Sequence, residues 1–203
     1  MNNNIISSIR INCNKINNVV KFCFYLFVII ALSSVFYTIF LLYNYGNSLE
    51  VFSFKNEFVI HSSKCHIWVG GNISRSLVTS SSDQPFSNLK LAFIIAQIIA
   101  LIKDSLIIPI LYFVNKILSN IETNYTPFTI ENAHKIKLVG LLLIAYSTIP
   151  NLVAYPLLNS VAEGVSLNID SSLPIIFAAS FILLLSKIFT YGCELQKDSD
   201  ETL

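Results

Sequence analysis

The sequence predicts an all-α integral membrane protein with four transmembrane helices and a small β-rich extracytoplasmic loop. Three observations carry this. Apolar residues make up 54% of the 203-residue chain and charged residues only 12%, too apolar a composition for a soluble domain of this length. Four stretches offer about 20 mainly apolar residues, the number a helix rising about 1.5 Å per residue needs to cross about 30 Å of hydrocarbon. Between the first two stretches, β-branched and aromatic residues partly alternate, as they do in short strands.

The N-terminal segment, 1–21, carries Arg10, Lys15 and Lys21. The first span, 22–43, runs from Phe22 to Tyr43 without a charge. It exceeds the roughly 7 to 15 apolar residues of a signal peptide. It also ends in FLLYNYG rather than a small-residue cleavage site, and so reads as a retained anchor.

The loop 44–90 holds LEVFSF, KNEFVIH and CHIWVGG, with Lys55-Asn56 and Gly70-Gly71 as turn candidates. This pattern predicts a hairpin or meander on the outer surface. Serines then dominate from Ser74 to Ser87, which reads as irregular chain. His61, Cys65 and His66 lie close together, but H-x3-C-H matches no common zinc signature, so no metal or cofactor is expected. Cys13, Cys23, Cys65 and Cys193 follow no regular spacing and read as unpaired thiols.

The second span, 91–114, is interrupted near its middle by Lys103, Asp104 and Ser105. Its apolar residues together favour insertion by about 7 kcal/mol, whereas a central Lys and Asp oppose it by about 5 to 7 kcal/mol. Insertion therefore needs a partner within the bundle. The segment 115–137 is a helix-turn-helix corner punctuated by Pro127, Phe128, Thr129, Ile130, Glu131 and Asn132. Pro127 ends the preceding helix, Thr129 caps the next, and Glu131 complements the positive end of its dipole. The third span, 138–158, and the fourth, 173–191, are separated by the short outer loop 159–172; residues 192–203 form a tail. Ser172 is placed to cap the fourth helix and Pro174 falls in its first turn, whereas Pro109, Pro150 and Pro156 fall inside spans.

Lysine and arginine set the orientation. Lys116, Lys135 and Lys137 join the N-terminal cations on one side, while the loop 159–172 has only Glu163 and Asp170. Both termini are thus expected in the cytoplasm of a multi-pass cell-membrane protein. At similar depth the four spans carry Ser33 and Ser34, Lys103 and Asp104, Ser147 and Thr148, and Ser180. Hydroxyls commonly bond back to their own helix, but ionisable groups at that depth usually face a bundle interior. These seven residues are therefore a candidate polar centre, either a structural clasp or a proton or solute pathway.

A formal charge of +1 without any basic run excludes a direct nucleic-acid partner. The topology divides the three histidines, placing His61 and His66 outside and His134 inside, and no nucleophile elbow, metalloprotease helix or phosphate-cradling loop is present. An enzyme is not expected. Abundant Asn, Ile, Lys, Phe and Tyr suggest an AT-rich, bacterial genome.

Two stretches carry a resemblance. PFTIENAHKIKLVG supplies Pro127, Phe128, Thr129, Glu131, Asn132, Ile136 and Gly140, and LLLSKIFTYGCELQKDSDETL supplies Phe189, Gly192, Leu195, Gln196, Asp200 and Thr202. In order and spacing they resemble the two signatures of the bacterial membrane family of domain of unknown function 2975. Tyr125-Thr126, Lys187 and Glu201 depart from the family pattern. The family has no established activity, so the resemblance brings no catalytic residues. Members often stand beside a gene for a small Cro/CI-type helix-turn-helix regulator. The resemblance therefore implies a regulatory interaction protein that holds or antagonises such a regulator. Pro127, Phe128, Thr129, Glu131 and Asn132, with Gly192 and Leu195 of the tail, would form the docking face. A small transporter or channel subunit using the polar centre is the alternative. The expected partners are the lipid bilayer and a cytoplasmic helix-turn-helix regulator, and the chain is compatible with a homo-oligomer.

Overall fold

The computed structural model describes residues 3–44, 49–54, 57–62, 69–71, 89–124, 128–160 and 173–201. Four long helices dominate: α1 (Asn3–Asn44), α2 (Leu89–Asn124), α3 (Ile130–Asn159) and α4 (Leu173–Glu201). Between α1 and α2 lie three strands, β1 (Leu49–Phe54), β2 (Glu57–Ser62) and β3 (Val69–Gly71). They form one antiparallel sheet in the order β1-β2-β3, with Val51 opposite Ile60 and Phe54 opposite Glu57. Gly70 and Gly71, expected in a turn, instead pair with Val59 and Phe58. Lys55-Asn56, Cys65, His66 and the serine-rich stretch lie outside the described residues.

The helices overrun the expected spans. At about 1.5 Å per residue, the 42 residues of α1 extend for about 63 Å, twice the hydrocarbon thickness. The reason is local: the first glycine is Gly46 and the first proline Pro85, so nothing separates the polar segment before Phe22 from the span. The tail from Gly192 likewise continues α4 to Glu201. Pro109, Pro150 and Pro156 sit inside their helices, whereas Pro174 falls in the first turn of α4, where no backbone donor is lost. Pro127 and Ser172 lie outside the described residues.

Among the described residues, three helices are long and apolar enough to cross a membrane: Ile11–Phe40, Gln97–Thr123 and Leu173–Ser199. The second of these overlaps the expected 91–114, and α2 contains all of it. The third predicted span is not among them.

The chain is a membrane protein, and its burial pattern is inverted accordingly. Phe22 and Phe36 on α1 are 68% and 72% exposed, as are many other large apolar side chains. The inward stripe of α1 instead holds Cys13, Asn17, Val20, Phe24 and Phe27, and the same alternation of three and four continues at Ala31, Ser34 and Thr38. Helices that meet in lipid gain little from hiding bulky apolar groups, so polar residues such as Asn17 and Thr38 share this stripe with Phe24 and Phe27.

The chain divides into two compact units. One comprises Met1–Ile29, Ser105–Ser147 and Ser172–Leu203; the other comprises Ile30–Asp104 and Thr148–Ser171. In the first, Ala179 is completely buried and Gly140 faces it. A methyl group at Gly140 would lie 2.8 Å from the Leu183 side chain and 3.3 Å from the Ala179 carbonyl oxygen, so α3 and α4 approach at backbone distance there. In the second, Ile94, Ile95 and Ile99 form the buried apolar ridge of α2.

Candidate functional site

Among the described residues, the first unit contains the most elaborate arrangement of side chains, built on the corner between α2 and α3. Thr129 starts α3. Its carbonyl accepts the Ala133 N–H at 3.0 Å and its hydroxyl accepts the Asn132 N–H at 3.1 Å, the two bonds expected of an N-cap. The cap fixes where Asn132 points. Asn132 is fully buried, and its side-chain oxygen accepts a hydrogen bond from the Asn120 amide of α2 at 3.2 Å. One asparagine thus ties the start of α3 to the last turns of α2.

Glu131 faces outward. Lys135, one turn on, reaches it at 2.6 Å. This hydrogen-bonded ammonium holds the Glu131 carboxyl below the usual glutamate range, and Asn120 and Lys116 of α2 add to the effect. Lys116 itself lies 5.7 Å from the centre of the Tyr112 ring.

Phe128 precedes the cap and joins the corner to α4. Its ring centre is 5.1 Å from that of Phe189, tilted by 48°. Gly192, one turn further along α4, lies directly under the ring: a methyl group there would meet Cδ1 at 2.7 Å. Beyond this contact an open groove of about 420 Å³ runs between the corner and α4. Phe128 and Ile130 form one wall, and Cys193, Gln196, Lys197 and Glu201 form the other. Ile130 is 76% exposed, an unusual place for an isoleucine on a helix start held this firmly.

Five of the seven expected docking residues, Phe128, Thr129, Glu131, Asn132 and Gly192, therefore serve one corner, and Leu195 stands exposed on α4 nearby. Pro127 lies outside the described residues. Sequence reasoning had assigned no part to Asn120, and had taken the tail from Gly192 as a docking stretch without singling out Cys193, Lys197 and Glu201 of the groove. The helical spacing of 193, 197 and 201 was the available signal for the last three.

The polar-centre residues are distributed differently. Ser147 and Ser180 belong to the first unit; Ser33, Ser34, Lys103, Asp104 and Thr148 belong to the second. The hydroxyls of Ser33, Ser147 and Ser180 donate to the carbonyls of Ile30, Ile144 and Ile176 in their own helices, at 2.7, 2.9 and 2.9 Å. Ser33, Lys103 and Ser180 are exposed, Ser34, Asp104 and Thr148 half-buried, and Ser147 buried. The seven are thus not all on inward faces. Elsewhere, Asn17 of α1 is 1% exposed with both amide atoms unpartnered, a buried polar group that the sequence reading had passed over. The thiols of Cys13, Cys23 and Cys193 are free, and among the described residues no group of His, Cys, Asp or Glu is arranged to hold a metal.

A family model described as a protein of unknown function, DUF2975, matches residues 77–203. The chain belongs to the DUF2975 family. No curated protein and no solved structure matches it. The DUF2975 match takes in the whole corner and groove and leaves α1 and the three strands outside. The signature residues that carried the resemblance have physical work to do in this DUF2975 protein. Phe128, Phe189 and Gly192 make one contact, Thr129 and Asn132 another, and Gly140 a third.

Proposed function

We propose that the protein crosses the cell membrane four times, with both termini in the cytoplasm, and works there as a regulatory interaction protein rather than an enzyme. The fourth crossing is α3, whose residues 138–158 form an uncharged stretch about as long as the hydrocarbon layer is thick. The lysines at 116, 135 and 137 then fall on the cytoplasmic side, and the three-stranded sheet lies outside. Reporter fusions after Asn44, Asn124, Asn159 and Glu201 test this: outside-active fusions are expected at the first and third positions only.

The partner in this reading is a small cytoplasmic helix-turn-helix regulator, held or antagonised at the face made by the corner and the end of α4. The carrying observation is the exposed Ile130 beside Phe128 on a groove whose walls are fixed by a helix cap and a ring contact. Rigid, exposed apolar groups near one another suit binding. Co-purification of the detergent-solubilised protein with a small helix-turn-helix regulator from the same cells is the test. Absence of the regulator from the purified complex, together with unchanged regulator output in a deletion strain, would overturn the reading.

A further inference from the structure

We infer that two copies of the chain pair in the membrane through one side of α2, where Lys103 of each copy meets Asp104 of the other. The inference stands apart from the docking reading above and shares no residue with it.

Gln97, Lys103 and Asp104 lie in the stretch of α2 that is apolar enough to cross a membrane, and all three belong to the second unit. Lys103 is exposed, and Gln97 and Asp104 are half-buried. Among the described residues, none of the three side chains has a hydrogen-bond or ion-pair partner. Lys103 and Asp104 do not serve one another, because adjacent residues of a helix point about 100° apart. Ionisable groups within a span are costly and are ordinarily paired. The partner that the insertion of α2 requires is therefore to be sought outside the chain.

The surface is complementary to itself. Where two identical surfaces meet across a twofold axis, residue i of one contacts residue j of the other, and j contacts i. Copies inserted the same way round are related by an axis along the membrane normal. Lys103 of one copy then differs in depth from Asp104 of the other by only about 1.5 Å. Two reciprocal ion pairs form, with no net charge left over. Gln97 also matches its own counterpart, since its amide both donates and accepts. Ala100 stands at steps of three or four from Gln97, Lys103 and Asp104, and its small side chain lets two helices approach closely. A lipid phosphate is a poorer partner: a snorkelling Lys103 could reach it, but Asp104 and Gln97 would remain unserved.

The test reconstitutes the full chain, tagged with donor or acceptor fluorophores, in zwitterionic liposomes and follows energy transfer against the protein-to-lipid ratio. The wild type is expected to associate. Lys103→Asp alone and Asp104→Lys alone should each weaken association at least about tenfold. Mixing these two variants should restore it, because two lysines then face two aspartates. The double exchange, Lys103→Asp with Asp104→Lys, keeps the composition of the span and should associate like the wild type, whether or not the single variants insert. Gln97→Leu, which adds no charge, should weaken association. A wild type that stays monomeric at every ratio would overturn the inference, leaving Lys103 to lipid headgroups or water. So would association indifferent to Gln97→Leu and to both single charge changes, or a double exchange that fails to associate.

Discussion

Phe128 covers Gly192 so closely that there is room for a hydrogen atom and not for a methyl group, whose carbon would stand 2.7 Å from Cδ1, 3.1 Å from Cε1 and 3.3 Å from Cγ. The contact joins a residue between helices to the middle of α4. It determines how the corner sits and where the groove opens.

Gly192→Ala is therefore expected to destabilise the protein by about 1–3 kcal/mol, since the ring must shift from its place against Phe189. Phe128→Ala should remove most of that penalty. Thermal unfolding of the two single variants and the double variant in detergent measures the coupling; strictly additive effects would show that the two residues do not share a contact.

Asn132 is the buried polar tie between α2 and α3. Replacing Asn120 by Ala leaves the Asn132 oxygen without that donor and is expected to cost about 1–3 kcal/mol. The double variant with Asn132→Ala should lose less than the sum, because both ends of the bond are then gone. A thermal double-mutant cycle reads this directly.

The cap is separable from the tie. Thr129→Ala removes the acceptor for the Asn132 N–H and should cost about 1 kcal/mol, with Thr129→Ser close to wild type. Hydrogen exchange of the Asn132 amide is the specific readout: it should quicken in the Ala variant and stay slow in the Ser variant.

The Glu131 carboxyl is held below its usual value of 4.5, chiefly by its hydrogen bond and charge interaction with Lys135. A depressed carboxylate contributes its stabilisation above the unfolded-state value and loses it as pH falls through the lower folded value. Carbon-13 titration of this carboxyl should give a midpoint below 4.5, and Lys135→Met should raise it. A midpoint unmoved by that substitution would remove Lys135 as the cause.

What could be read from the sequence was whatever depends on neighbours along the chain. The apolar stretches of α1, α2 and α4, the cap at Thr129, Glu131 in the first turn and Pro174 at the start of α4 follow from helical spacing and from the few residue types that can begin or end a helix. The return of Ser33 and Ser180 to their own carbonyls is equally local. The ends of the helices were harder to place. Polar residues such as Asn and Lys neither extend a span nor break a helix, so the sequence reading put the boundaries of α1 and α2 at the edge of the apolar run. The tertiary structure decided the rest: which asparagine is buried and tied, that Phe128 lies on Gly192 across more than 60 residues of sequence, and that Ile130 is left outside. Those outcomes depend on how closely separate helices approach, and no periodicity within one helix encodes the distance to another.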